Sequence, residues 1–190
     1  MTTALVDYDS GNLHSAQKAF ERMALDVDAG DIVVTSDPDV VALADRMVLP
    51  GDCAFPHCRG ELFSRSGLAE AIVEAVEVKG RPFMGICVGM QMLATTGHEY
   101  EPTAGFGWIA GDIRKIEAPG QKIPHMGWNN LVIDQPHPVL CGIQSGDHAY
   151  FVHSFAMQVA TPKESLSNVD YAGDVTAIVV RDNIIGPQFH

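Results

Sequence analysis

Residues 81–91 read Arg-Pro-Phe-Met-Gly-Ile-Cys-Val-Gly-Met-Gln, a short apolar run leading into a cysteine with a glycine two positions before it and another two after. This is a thiol form of the G-x-S-x-G elbow, a sharp strand-to-helix turn that exposes a nucleophile at the top of a sheet. Such a turn leaves room only for glycine where the backbone crowds the nucleophile, so Gly85 and Gly89 read as steric requirements. The pattern predicts a strand over Phe83–Ile86 and a helix from Val88 to about Ala94, with Cys87 at the helix N-terminus. There the helix dipole and free N–H groups are expected to favour thiolate over thiol. The N–H of Val88 is expected to point to where a substrate oxyanion would form.

Outward from the elbow, the first half of the chain alternates strand and helix. Ala4–Asp7, Ile32–Thr35 and Arg46–Leu49 read as short apolar strands. Between them, Leu13, Ala16, Phe20 and Met23 have helical spacing, and Pro38–Leu43 is a short helix capped by Asp37. Leu68, Ile72 and Val76 mark a helix over Gly67–Lys79 that Gly80 closes. Strands separated by helices imply a parallel sheet with helices on both faces. From about Phe106 the texture changes to β-like runs at Gly107–Ala110, Ile113–Ile116, Leu131–Ile133, Ala149–Phe155, Val175–Val180 and Ile184–Phe189, with Arg181-Asp182-Asn183 suited to a hairpin. The expectation is one α/β domain, a mostly parallel central sheet with helices on both faces and antiparallel β additions in the second half.

Composition narrows the function. The 190 residues suit a single domain, and a formal charge of −12 argues against nucleic acid or an anionic membrane as partner. No apolar run is long enough to span a bilayer, and the N-terminus lacks the basic region of a signal peptide. The cysteines at 53, 58, 87 and 141 show no disulfide-framework spacing, which together with the missing leader predicts a reducing cytoplasm. No G-x-G-x-x-G follows a strand, so no cofactor is expected. Asp52, Cys53, His57 and Cys58 form a cluster in one loop without a second ligand pair, so no metal site is expected either. Met90 and Met92 read as core residues.

A cysteine nucleophile needs a general base, usually a histidine distant in sequence. His190 ends an apolar strand and His153 lies in Phe151-Val152-His153-Ser154-Phe155; the residues alone do not choose between them. Gly85-Ile86-Cys87-Val88-Gly89-Met90-Gln91, Phe151 to Phe155 and Gln188-Phe189-His190, in that order, resemble the three motifs of the class I, triad-type glutamine amidotransferases, a flavodoxin-like fold. Pro124-His125-Met126-Gly127-Trp128-Asn129 resembles a signature of one branch, the glutaminase subunits of imidazole glycerol phosphate synthases, as do Asp7 to Leu13 and Val48-Leu49-Pro50-Gly51.

The resemblance implies that L-glutamine is hydrolysed through a γ-glutamyl thioester on Cys87, with His190 as base and then acid. Ammonia would pass to a separate (β/α)₈ cyclase subunit of a heterodimer in histidine biosynthesis. Gly85, Gln91 and the backbone around His153, Ser154 and Phe155 match positions that hold the substrate, and Val88 and the Gly51–Cys53 segment match the oxyanion hole. Asn12, Met126, Gly127, Trp128 and Asn129 match the face turned to the cyclase, with Trp128 lining the ammonia exit. Two departures accompany the match. The family places Pro-Glu after the catalytic histidine and ends on a helix, whereas this sequence stops at His190, so an incomplete chain and an uncovered apolar face are expected. The family also has a glycine where this chain has Cys53. The same fold could serve another acceptor, as in pyridoxal phosphate synthesis, or an inactive interaction subunit.

Overall fold

The computed structural model describes residues 1–190 and begins as the alternation requires. Strand β1 (Thr2–Val6) leads to α1 (Leu13–Val27), β2 (Asp31–Thr35), α2 (Pro38–Leu43), β3 (Arg46–Leu49), α3 (Phe55–Ser64) and α4 (Leu68–Val73). The last of these runs on as a π-helical turn, Glu74–Val78, into β4 (Phe83–Gly85) and the elbow helix α5 (Val88–Gln91). Local chemistry sets the starts: Asn12 Oδ1 accepts the Ser15 N–H, and Asp37 Oδ1 accepts the Asp39 N–H ahead of α2, each satisfying an orphan donor of a first turn.

The second half supplies β5 (Ala94–Gly97), β6 (Thr103–Ala104), β7 (Ile109–Lys115), β8 (His125–Asn130), β9 (Val132–Ile133), β10 (His148–His153), β11 (Phe155–Val159), β12 (Ser165–Asp170), β13 (Asp174–Arg181) and β14 (Ile184–Pro187). The main sheet runs β2-β1-β3-β4-β14-β13-β12-β9. Its first five strands are parallel, with β14 alongside β4, and the rest antiparallel. A four-stranded sheet, β11-β7-β5-β6, and a two-stranded ribbon, β10-β8, flank it. Between α1 and the sheet lies an open apolar groove of about 530 Å³, lined by Phe20, Met23, Val27, Met84 and Ile185 among others. No helix is long and apolar enough to cross a membrane.

Several sequence expectations change. The elbow helix stops at Gln91 instead of near Ala94, because residues 94–97 are recruited as β5 between β7 and β6. The helix expected over Gly67–Lys79 is present but slips to π-helical pairing after Val73. Gly107–Ala110 and Ile113–Ile116 belong to one strand, β7, and Ala149–Phe155 breaks at Ser154 into β10 and β11, which join different sheets. The segment that holds Asp52, Cys53, His57 and Cys58, read as one loop, runs into a helix, α3 (Phe55–Ser64), which buries Phe55, Cys58 and Leu62. The cysteines also depart from expectation, for Cys53 and Cys58 form a disulfide across a Cα–Cα distance of 5.9 Å. Cys87 and Cys141 are free.

Candidate active site

Cys87 sits between the end of β4 and the first residue of α5, with φ +56° and ψ −110°. The flanking glycines have ordinary φ values and are required for another reason. A Cβ on Gly85 would lie 2.4 Å from the Gly89 carbonyl oxygen, and one on Gly89 would lie 1.9 Å from the Leu49 oxygen. The glycines let three backbone segments converge beneath the cysteine, and the left-handed conformation falls on the nucleophile itself.

The thiol is 4 % exposed. Burial pushes its pKa up to about 11, a shift increased by the Asp52 carboxylate and opposed by the Val88 N–H and the Gln188 amide. This corrects the expectation of a thiolate favoured by the helix dipole. Helix α5 has only four residues, too few to sum a dipole that offsets desolvation.

A cavity of about 390 Å³ opens over the sulfur. Its lining joins Cys87, Val88 and Gln91 from the elbow, Asp52 and Cys53 from the β3–α3 loop, Val152 to Phe155 from the β10–β11 corner, and His190. Most of the sequence-derived candidates therefore share one space. Gly85 does not line it and lies behind the nucleophile against Gly89. His190 is at the open edge, its backbone N–H donated to the Tyr150 carbonyl at 3.3 Å. Partial burial lowers its pKa and Asp52 counteracts that. Gln91 is 3 % exposed and gives its amide hydrogens to the Phe155 carbonyl and to Gln188 Oε1, both at 3.1 Å. Its Oε1 is the atom left for a ligand.

The oxyanion segment is held shut. The Val88 N–H donates to the Gly51 carbonyl at 3.3 Å, so the first expected oxyanion donor is already engaged. That carbonyl belongs to the Gly51–Asp52 peptide, whose N–H donates weakly to Ser10 Oγ at 3.4 Å. Turning this one peptide over would free Val88 and present the Asp52 N–H, one residue before the Cys53 position read from the sequence. The segment is anchored on both sides. Tyr8 donates its hydroxyl to the Pro50 carbonyl, Asp52 accepts the Gly11 N–H at 2.9 Å, and Cys53 is tied to α3 through Cys58, with Ser10 Oγ 3.2 and 3.0 Å from the two sulfurs.

At the cavity wall, His153 forms a buried pair with His125, His125 Nδ1 lying 3.1 Å from His153 Nε2. The His153 Nδ1 faces the Phe155 carbonyl at 2.9 Å, a pure acceptor, so it carries the proton and Nε2 accepts from His125. Burial lowers both pKa values, that of His153 to about 4. His153 is therefore a neutral structural element beside the cavity.

The opposite face of the same ribbon is apolar and open. Tyr150 pairs with Trp128 and Val152 with Met126 across β10 and β8, and Met126 and Trp128 are 61 % and 71 % exposed. Asn12 is exposed with its side chain capping α1. Asn129 Nδ2 is held by the Asp170 carbonyl and His125. Sequence reasoning gave no role to Gln188, whose Nε2 lies 3.6 Å from Cys87 Sγ, and read Asp52 as part of the oxyanion segment, not as a carboxylate whose charge both Cys87 and His190 feel. Gln188 was visible only as the residue before Phe189-His190.

A nucleophile elbow, a histidine beyond the neighbouring strand end and a half-parallel α/β sheet are the parts that an acyl-transfer enzyme with a cysteine nucleophile requires. Comparison with known proteins agrees. The family model "Glutamine amidotransferase class-I" matches residues 4–190. A solved structure described as a glutamine amidotransferase superposes with a TM-score of 0.75 at 16 % identity, covering 98 % of this chain and 89 % of its own. PurLQS from Thermotoga maritima gives 0.66 at 20 % identity, covering 100 % and 86 %; at these identities the likeness concerns the fold alone. The chain belongs to the class I glutamine amidotransferases. Within them it is 62 % identical to the imidazole glycerol phosphate synthase subunit HisH of Ruegeria pomeroyi and 61 % identical to that of Cereibacter sphaeroides, each match covering the whole of this chain and 91 % of the relative.

Proposed function

We propose that this chain is the glutaminase subunit of an imidazole glycerol phosphate synthase and that Cys87 is its nucleophile. The carrying observation is the single cavity that joins Cys87, His190 and the β10–β11 corner in a chain with full-length HisH relatives. The Cys87 sulfur attacks the carboxamide carbon of glutamine while its proton moves to His190. The developing oxyanion takes the Val88 N–H and, after reversal of the Gly51–Asp52 peptide, the Asp52 N–H. Collapse expels ammonia with the proton from His190 and leaves a γ-glutamyl thioester. Water, deprotonated by His190, then attacks the thioester and releases glutamate, so that glutamine and water give glutamate and ammonia. Gln91 Oε1 and the backbone of residues 153–155 hold the substrate.

The Gly51 carbonyl against Val88 makes the arrangement described a resting one. The exposed ribbon face of Met126, Trp128, Tyr150 and Val152 continues into the cavity through Val152. A surface that is apolar on its outward side and joined to the product site is what a docking partner that receives ammonia requires. That partner is the cyclase subunit, and the setting is cytoplasmic. Ammonia release should be measured with the cyclase subunit present. Cys87→Ala is expected to abolish hydrolysis, and a Cys87→Ala chain that still turned over glutamine would remove the nucleophile assignment.

A further inference from the structure

Gln188 is 1 % exposed, and both ends of its side-chain amide are oriented by its neighbours. Working back from the sulfur, the assignment is forced. The Phe155 carbonyl can only accept, so the Gln91 amide must turn its nitrogen toward it, at 3.1 Å. The remaining hydrogen of that nitrogen reaches Gln188 Oε1, at 3.1 Å. The oxygen of Gln188 therefore faces Gln91, and its Nε2 faces Cys87 Sγ at 3.6 Å. A flipped Gln188 would set amide nitrogen against amide nitrogen and oxygen against sulfur. The backbone leaves no slack either, since the Gln188 N–H is bonded to the Ala177 carbonyl at 2.8 Å. The Phe155 carbonyl is itself fixed by a second donor, His153 Nδ1–H at 2.9 Å.

An N–H held against a buried sulfur favours the anion over the neutral thiol, and it does so most where water is excluded. The other donor near the sulfur, the Val88 N–H, is engaged with Gly51 and is needed by the oxyanion once the substrate reacts. We propose that Gln188 is a catalytic residue whose Nε2–H stabilises the Cys87 thiolate, and that Gln91 acts through it as a positioning residue. The proton leaves Sγ for His190 and none is lost from Gln188. When the thioester forms and the sulfur becomes neutral, the same contact weakens and does not oppose the next step. The assignment rests on Cys87 as nucleophile, yet its test does not require turnover.

The test is the pH dependence of Cys87 alkylation by iodoacetamide in the full chain, quantified on the Cys87 peptide by mass spectrometry so that Cys141 is not counted. Gln188→Met removes the donor and is expected to raise the midpoint by about one pH unit, the size of one charge-assisted hydrogen bond. Gln188→Glu keeps the volume and the acceptor for Gln91 but adds a negative charge, and is expected to raise it further; it serves alone if the methionine variant does not fold. With the cyclase subunit present, kcat of Gln188→Glu, which keeps the acceptor for the substrate-holding Gln91, should fall at least about tenfold at neutral pH while KM moves by less than roughly twofold. A folded variant with the wild-type alkylation midpoint, or one whose only change is a raised KM, overturns the proposal. Residual hydrolysis by Cys87→Ala would instead refute the nucleophile reading, and the alkylation midpoint distinguishes the two failures.

Discussion

At Cys87 the strain and the chemistry coincide. A non-glycine residue at φ +56° costs on the order of 1–3 kcal/mol and persists only where the surroundings over-determine it, here through glycines that admit the Leu49 and Gly89 carbonyls. The glycines were legible because their spacing is local. The protonation state of the thiol was not, since it depends on burial beneath residues distant in sequence. His153 poses a similar residue-scale question with a measurable answer. Unfolded, a histidine binds a proton near pH 6.5; folded, His153 resists one until about pH 4, because burial penalises the charged ring and an Nε2 proton would also meet the His125 N–H. The folded state thus carries no penalty above pH 6.5, and stability falls as the pH drops from there toward 4, by up to about 3 kcal/mol. Urea denaturation across this range should show that decline, and His153→Gln, which cannot titrate there, should flatten it. An unchanged slope in the variant would mean that other groups govern acid stability.

Elements whose signals are short-range could be read from the sequence. Helix α2 was expected with its observed bounds because Asp37 and Pro38 punctuate its start, and the elbow was expected because a tight turn has few sequence solutions. Strands β8 and β12 were not expected. Each mixes polar with apolar residues, and what makes them strands is pairing, β8 with β10 and β12 with β13. Helix α3 gave a weak signal, with a glycine in its middle and no side-chain cap. For the same reason the spacing of Cys53 and Cys58 looked unremarkable, although α3 folds the second cysteine back onto the first. The bond closes a short loop, for which restricting the unfolded chain gives about 2 kcal/mol. Reduction with dithiothreitol should therefore lower the denaturation midpoint of the wild-type chain, while Cys53→Ala should be insensitive to reductant. A wild-type midpoint that ignored reductant would show that the disulfide adds no net stability.

Across the whole molecule, the three sheets bring four chain-distant segments to one cavity: the elbow at 87–91, the β3–α3 loop, the β10–β11 corner and the residues that follow β14. The ribbon β8–β10 stands between that cavity and an open surface. Its buried side carries Ala149, Phe151, His153 and His125, and its outward side carries Met126, Trp128, Tyr150 and Val152. Both sides are built largely from apolar or aromatic residues, which removes the polar-out alternation that marks a solvent-facing ribbon. An apolar outward side is an argument for a partner. Trp128 packs edge-on against Tyr150 with ring centroids 5.6 Å apart, a rigid aromatic pair of the kind that anchors interfaces. It contributes little to the core, so Trp128→Ala should leave the denaturation curve of the isolated chain nearly unchanged. Association with the cyclase subunit, measured by titration calorimetry, should weaken by about 30-fold, the cost of truncating one central aromatic anchor. Wild-type affinity in the variant would place the partner on another face and leave the exposed ribbon without that role.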